Sequence, residues 1–181
     1  MIKQVIQNKF GNCKFQNNCT CQVKDSFEEI TLNEFFIWDD DNSTHPTKIV
    51  TKNDVHQLKV SNQLRKNIIF VKIDKCLFHE LKNEKKCDCI LFDNSIVNFV
   101  EIKSTNKKGR SNARATAVLQ LESTIKLLTF NEIEYSNLTK KAVICFKNDN
   151  QYPIKASQKS QQAIFKIKYN VNLVEGNLIS F

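Results

Sequence analysis

Glycine and proline are scarce in this chain, with three glycines and two prolines in 181 residues. That scarcity excludes collagen-like and proline-rich spacer architectures and leaves no low-complexity linker along which to divide the molecule. No internal repeat is present, so solenoids and propellers are excluded as well. Long apolar runs are also missing. Stretches such as Ile68 to Val71 and Ile96 to Val100 fall far below the roughly 18 residues needed to cross a bilayer, so no membrane span is expected. The opening Met-Ile-Lys-Gln-Val-Ile-Gln-Asn lacks an apolar core followed by a small-residue cleavage site, which makes the cytoplasm the expected location. Histidine is limited to His45, His56 and His79, with no ligand-like pairing, and the run Asp39 to Asp41 lacks the alternation and glycine of a calcium loop. Both read as surface features.

What is present suits one folded unit. The length fits a single domain over 1–181, with 1–50 reading as an N-terminal extension and 68–146 as the core motif region. Hydrophobic residues at 41% and charged residues at 25% are the balance of an ordinary globular protein. Seven cysteines, an odd number, point to free thiols packed as small apolar groups and not to a disulfide framework. The net charge of +8 favours polyanionic partners such as DNA and RNA.

The polar stretch Asp39 to Pro46 is the best boundary candidate. Before it, Ser26 and Glu29 have capping-box spacing, while alternation through Ile30, Leu32 and Phe36 fits a strand equally well. A short helix is expected near Thr51 to Asp54, and a strand at Ile68 to Val71. Cys87 to Phe92 and Ile96 to Lys103 read as two strands of a hairpin. Ser111 or Asn112 can cap a helix carrying Val118, Leu121, Ile125 and Leu128 at helical spacing. A buried strand at 142 to 146, a helix near Ser157 to Tyr169, a strand near Val171 to Val174 and a turn at Gly176 complete the order. The expected fold class is α/β, with α+β as the alternative.

Strand parity then singles out three residues. If Asn94-Ser95 is a two-residue turn, Asp93 pairs with Ile96, and counting outward sets Asp88 opposite Glu101. Opposed carboxylates with Cβ atoms about 4.5–5.5 Å apart can reach one cation, and Lys103 follows on the same face. Unless a cation offsets them, two such acids repel and cost stability. The same count puts Cys87, Cys89, Leu91, Val100 and Ile102 on the other face, with Ile90, Phe92, Val97 and Phe99 beneath the acids. Both faces are apolar, as expected for interior strands covered by helices.

Asp88, eleven intervening residues, and then Phe99-Val100-Glu101-Ile102-Lys103 resemble the PD-(D/E)XK nuclease superfamily. Within it the likeness is to small stand-alone nucleases of prokaryotic restriction and defence type, through Cys87-Asp88, the Glu-Ile-Lys strand and Gln120-Leu121. The resemblance covers roughly residues 68 to 146. It implies a restriction endonuclease-like core: an initial helix, a central mixed sheet of about four or more strands, and a crossing helix. It implies Mg²⁺ or Mn²⁺ held by Asp88, Glu101 and the Ile102 carbonyl, with Lys103 acting on the attacking water and Gln120 reaching the site. Lys107, Lys108, Arg110 and Arg114 are the candidate phosphate contacts, on DNA ahead of RNA. A second copy of the chain or a defence-system protein is the candidate protein partner. The sequence departs from the family where Cys87 stands at the proline position, and the acid from the initial helix is open among Glu80, Asp54 and Glu34.

Two competing readings remain. Cys13, Cys19 and Cys21, or Cys76, Cys87 and Cys89, are groups to consider for structural zinc, although neither spacing is that of a familiar finger. The other is a nucleic-acid-binding or partner-binding module of the same fold without catalysis.

Overall fold

The computed structural model describes residues 2–11, 25–40, 45–51, 57–78, 84–104, 109–135, 137–146 and 156–181. Its main sheet has six strands: β1 (Phe27–Ile30), β5 (Ile68–Lys72), β6 (Cys89–Phe92), β7 (Ile96–Lys103), β8 (Thr139–Phe146) and β9 (Asn172–Glu175), in the order β1-β5-β6-β7-β8-β9. β1, β5, β6 and β7 pair antiparallel, whereas β7-β8 and β8-β9 are parallel. Parallel neighbours need crossovers, and α2 (Arg110–Phe130) and α3 (Ala156–Tyr169) lie in those two connections. A second mixed sheet has the order β10-β4-β2-β3, from Leu178–Ser180, Leu58–Ser61, Glu34–Trp38 and Lys48–Val50. The class is therefore α/β with mixed sheets.

Two apolar clusters explain why both faces of β6 and β7 are hydrophobic. On one face, Ile90, Phe92, Val97 and Phe99 pack against Ile6 of α1 (Ile2–Phe10), Ala117, Leu121, Ile125 and Leu128 of α2, and Phe165 of α3. On the other, Cys89, Leu91, Val100 and Ile102 pack against Phe35 and Ile37 of β2, Leu58 and Val60 of β4, and Ile179 of β10. The layers are helices, main sheet, second sheet. Among the described residues helices thus cover one face, and the second face is closed by strands, contrary to the expectation of helices on both. β5 is buried along its whole length, which accounts for its unbroken Ile-Ile-Phe-Val run. Fully burying a side chain such as Phe35 or Phe70 contributes about 1.5–3 kcal/mol.

Residues 27–38 are not peripheral. They supply an edge strand to the main sheet and the middle of the second, so the strand reading of the Ser26 segment prevails over the helical one. The hairpin turn follows the two-residue count: Asp93 N–H donates to the Ile96 carbonyl at 3.0 Å, and Asp93 Oδ1 accepts the N–H groups of Ser95 and Ile96, each at 2.7 Å. α2 begins at Arg110 behind Gly109, with no side-chain cap, so neither Ser111 nor Asn112 plays the expected capping role. The helix expected near Thr51 to Asp54 falls largely outside the described residues.

Candidate active site

The hairpin ladder holds Cys89 opposite Val100 and then changes. Asp88 N–H also donates to the Val100 carbonyl, at 3.1 Å, setting two residues against one in the manner of a β-bulge. The expected direct pairing of Asp88 with Glu101 is therefore replaced by an offset. Cys87 is turned over by the same bulge: it joins the helix-side cluster while Cys89 stays between the sheets, so the two thiols are not on one face as parity alone suggested. α2 fixes this entry segment through Thr124 Oγ1, which accepts the Cys87 N–H at 2.8 Å, and Gln120 Nε2, which donates to the Lys86 carbonyl at 3.0 Å.

The vacated ladder position is taken by a side chain. Asp88 Oδ2 accepts the Ile102 N–H at 2.6 Å. The Ile102 carbonyl is directed to the same edge, because the N–H and C=O of one strand residue share a side, and its would-be ladder donor at Cys87 is spent on Thr124. The Asp88 carbonyl is itself held by Thr47 Oγ1 at 3.2 Å and Ile73 N–H at 3.0 Å. Asp88 is thus anchored from three sides.

Glu101 is fully buried on the helix side of β7. Lys103 Nζ lies 2.5 Å from its Oε1 in a salt bridge, and Oε2 has no hydrogen-bond partner among the described residues. Burial raises the Glu101 carboxyl; Lys103 opposes the rise, Asp74 and Asp39 add to it, and the result is pushed up to about 8. Burial also raises Asp88 well above the carboxylate range, helped by the charges of Glu101 and Asp39 and opposed by the Ile102 N–H. An acid pair that resists ionisation in a dry setting is the arrangement a bound cation would relieve.

Two acids here escaped the sequence reading. Asp39, assigned to the surface, is buried just beyond β2, where Gln57 clasps its backbone: Gln57 Oε1 accepts its N–H at 2.7 Å and Gln57 Nε2 donates to its carbonyl at 2.6 Å. Asp74 follows β5 in a kinked turn, Ile73–Leu77, that holds Lys75 in the left-handed region at φ 58°. Lys75 approaches Asp39 at 3.9 Å, and Lys86 pairs with Asp74 at 3.3 Å. Only the long-range pairing of the two sheets brings Asp39 here, and no local pattern encodes that. Glu34 is excluded as the further acid, since it sits exposed at the opposite end of β2 on Lys59. Asp54 and Glu80 lie outside the described residues, as do His56, His79, Cys13, Cys19, Cys21, Lys107 and Lys108. α1 carries no acid at all.

The remaining expected contacts are engaged inside the chain. Arg110 and Arg114 both pair with Glu175 of β9. Gln120 Oε1 is buried without a partner among the described residues, so only its amide nitrogen has an assigned role. Cys76 Sγ lies 3.4 Å from Ser26 Oγ, and with Cys87 and Cys89 on opposite faces these three thiols do not converge. Among the described residues no group of three His, Cys, Asp or Glu side chains forms a ready metal cage. Asp88 and Glu101 with a backbone carbonyl could offer oxygen donors to a hard cation, and magnesium, which keeps several waters, needs no more than one or two carboxylates. Glu101 Oε2, buried and without a hydrogen-bond partner among the described residues, fits that demand. Compared with family models, curated proteins and solved structures, the chain matches none. None of its helices is long and apolar enough to cross a membrane, among the described residues.

Proposed function

We propose that the chain is a divalent-metal-dependent nuclease of PD-(D/E)XK type, hydrolysing phosphodiester bonds of DNA ahead of RNA. The observation that carries this reading is the buried Glu101 Oε2, without a hydrogen-bond partner among the described residues, which shares a strand face with Lys103 and whose charge acts on the Asp88 carboxyl anchored on the neighbouring Ile102 N–H. The antiparallel β5-β6-β7 unit, followed by α2 and the parallel β8, supports a restriction endonuclease-like core.

In this reading Asp88, Glu101 and the Ile102 carbonyl would hold Mg²⁺ or Mn²⁺. When bound, the ion would supply Lewis acidity at the phosphate and lower the pKa of a bound water. Lys103 orients the attacking water and offsets charge that develops on the phosphate. The water oxygen gives up a proton to solvent as it forms a bond to phosphorus, the bond to the leaving ester oxygen breaks in line, and that oxygen takes a proton from solvent. Gln120 and Thr124 act at one remove, by fixing the Lys86 to Asp88 segment.

The test is incubation of the purified chain with plasmid, linear DNA, single-stranded DNA and RNA, each with Mg²⁺, Mn²⁺ or EDTA. Metal-dependent cleavage, lost in Glu101→Gln and Lys103→Ala, is expected. No cleavage of any substrate, or cleavage indifferent to EDTA, would overturn the reading.

A further inference from the structure

One row of the main sheet links the candidate site to a second charged cluster. Glu101 pairs with Ile144, and Ile144 pairs with Glu175, so both glutamates lie on the helix-side face two strands apart. At the usual strand spacing their Cα atoms are about 10 Å apart. In the adjoining row Lys103 pairs with Phe146. The Arg110 guanidinium stacks over the Phe146 ring at 4.0 Å and Arg114 stands 5.8 Å from it.

Both arginines converge on one carboxylate. Arg110 Nη2 contacts Glu175 Oε1, while Arg114 Nε and Nη2 reach Oε2 at 2.8 and 2.7 Å. The two guanidiniums open α2 at its first and second turns, where cations oppose the helix dipole, and Glu175 compensates them there. Two planar forks on an aromatic face, aimed at a single oxyanion, are a geometry suited to carboxylate and phosphate alike.

We propose that Arg110 and Arg114 form a phosphate subsite for the nucleic-acid strand, with Glu175 as an internal placeholder that the phosphate displaces. The source of the phosphate rests on the nuclease reading; the subsite itself rests on the clamp. It lies about 10 Å along the sheet row from Glu101, with the partly exposed Lys103 in the adjoining row. A backbone diester carries the same single charge as Glu175, whereas a terminal phosphomonoester carries nearly two and competes better. The placeholder also keeps two partly exposed guanidiniums paired while no strand is bound.

The experiment is fluorescence anisotropy in EDTA, where binding is read without cleavage. Probes are one single-stranded oligonucleotide with 5′-phosphate, 3′-phosphate or hydroxyl ends, with inorganic phosphate as competitor. Glu175→Gln keeps the shape but removes the competing charge, so affinity is expected to tighten on the order of tenfold. Arg110→Gln and Arg114→Gln should each weaken binding and reduce the magnitude of the log-affinity versus log-salt slope by about 0.7. Tighter binding of a phosphorylated strand identifies a terminal monoester, equal binding identifies the backbone diester, and either supports the subsite. Unchanged or weaker binding by Glu175→Gln overturns it, and that variant decides alone if an arginine variant fails to fold. Phosphate-only binding, with no affinity for oligonucleotides, overturns the strand as its ligand. A chain that binds in this way in EDTA yet cuts no substrate when Mg²⁺ or Mn²⁺ is supplied refutes the nuclease reading and leaves the subsite standing.

Discussion

The Asp88 carboxylate accepts the backbone N–H of Ile102 at 2.6 Å, so an acid proposed for chemistry also closes a gap in the sheet. The two roles separate by substitution. Asp88→Asn keeps an acceptor oxygen for Ile102, whereas Asp88→Ala leaves a buried N–H unpaired and should cost about 1–3 kcal/mol. Calorimetric Mn²⁺ titration should show reduced affinity in both, while thermal melts should show a loss in the alanine variant alone. Equal Mn²⁺ affinity in parent and variants would remove Asp88 from the metal site.

Glu101 makes the metal-free protein sensitive to pH. Its folded carboxyl is raised to about 8 from an ordinary 4.5, so the folded state binds the proton more tightly. That contribution is fully present below pH 4.5 and is lost as pH rises towards 8. Melts in EDTA should fall across this window, and Glu101→Gln should flatten the fall and be the more stable protein at pH 8. Excess Mn²⁺ should restore the parent at the upper end. A parent melting temperature that climbs from pH 5 to 8 in EDTA would contradict the burial argument.

Asp39 acts on the same acids from the second sheet. Its charge raises both Asp88 and Glu101, so Asp39→Asn should move the acidic limb of the cleavage pH profile to lower pH. Gln57→Leu would release both backbone bonds that hold Asp39 and is expected to lower stability by about 1–3 kcal/mol. An unmoved acidic limb in Asp39→Asn would confine that residue to structure.

Asp93 gives a prediction independent of function. Burial works against its ionisation, yet the N–H groups of Ser95 and Ile96 and the ammonium of Lys66 hold its carboxyl below the usual range. The stability it contributes is present above its ordinary value near 3.8 and is lost as pH falls through the lowered one. Asp93→Ala should cost about 1–3 kcal/mol at pH 7, with the difference from the parent narrowing in acid. Chemical denaturation at pH 7 and pH 3 measures both.

The hairpin was legible because its signals are local: β-branched runs, a polar pair between them, and a period of two that fixes faces for Ile90, Phe92, Val97 and Phe99. Parity failed at Cys87 and Asp88 because a bulge adds one residue to one strand, and the partners that stabilise it, Thr124 and Thr47, come from distant parts of the chain. Asp39 was misassigned for a related reason. Its neighbours Asp40 and Asp41 give it the look of solvated chain, and only the packing of one sheet on another removes it from water.

The second sheet joins distant segments of sequence: β10 at Leu178–Ser180 lies parallel to β4 at Leu58–Ser61, beside the β2 strand that leads into Asp39. During synthesis, β4 therefore waits through more than a hundred residues with one edge unpaired, and long-range closures of this kind are slow. That edge invites pairing with other chains in the interval. Asp39, clasped by Gln57 just before β4, is carried by the strand pair whose free edge this late closure covers.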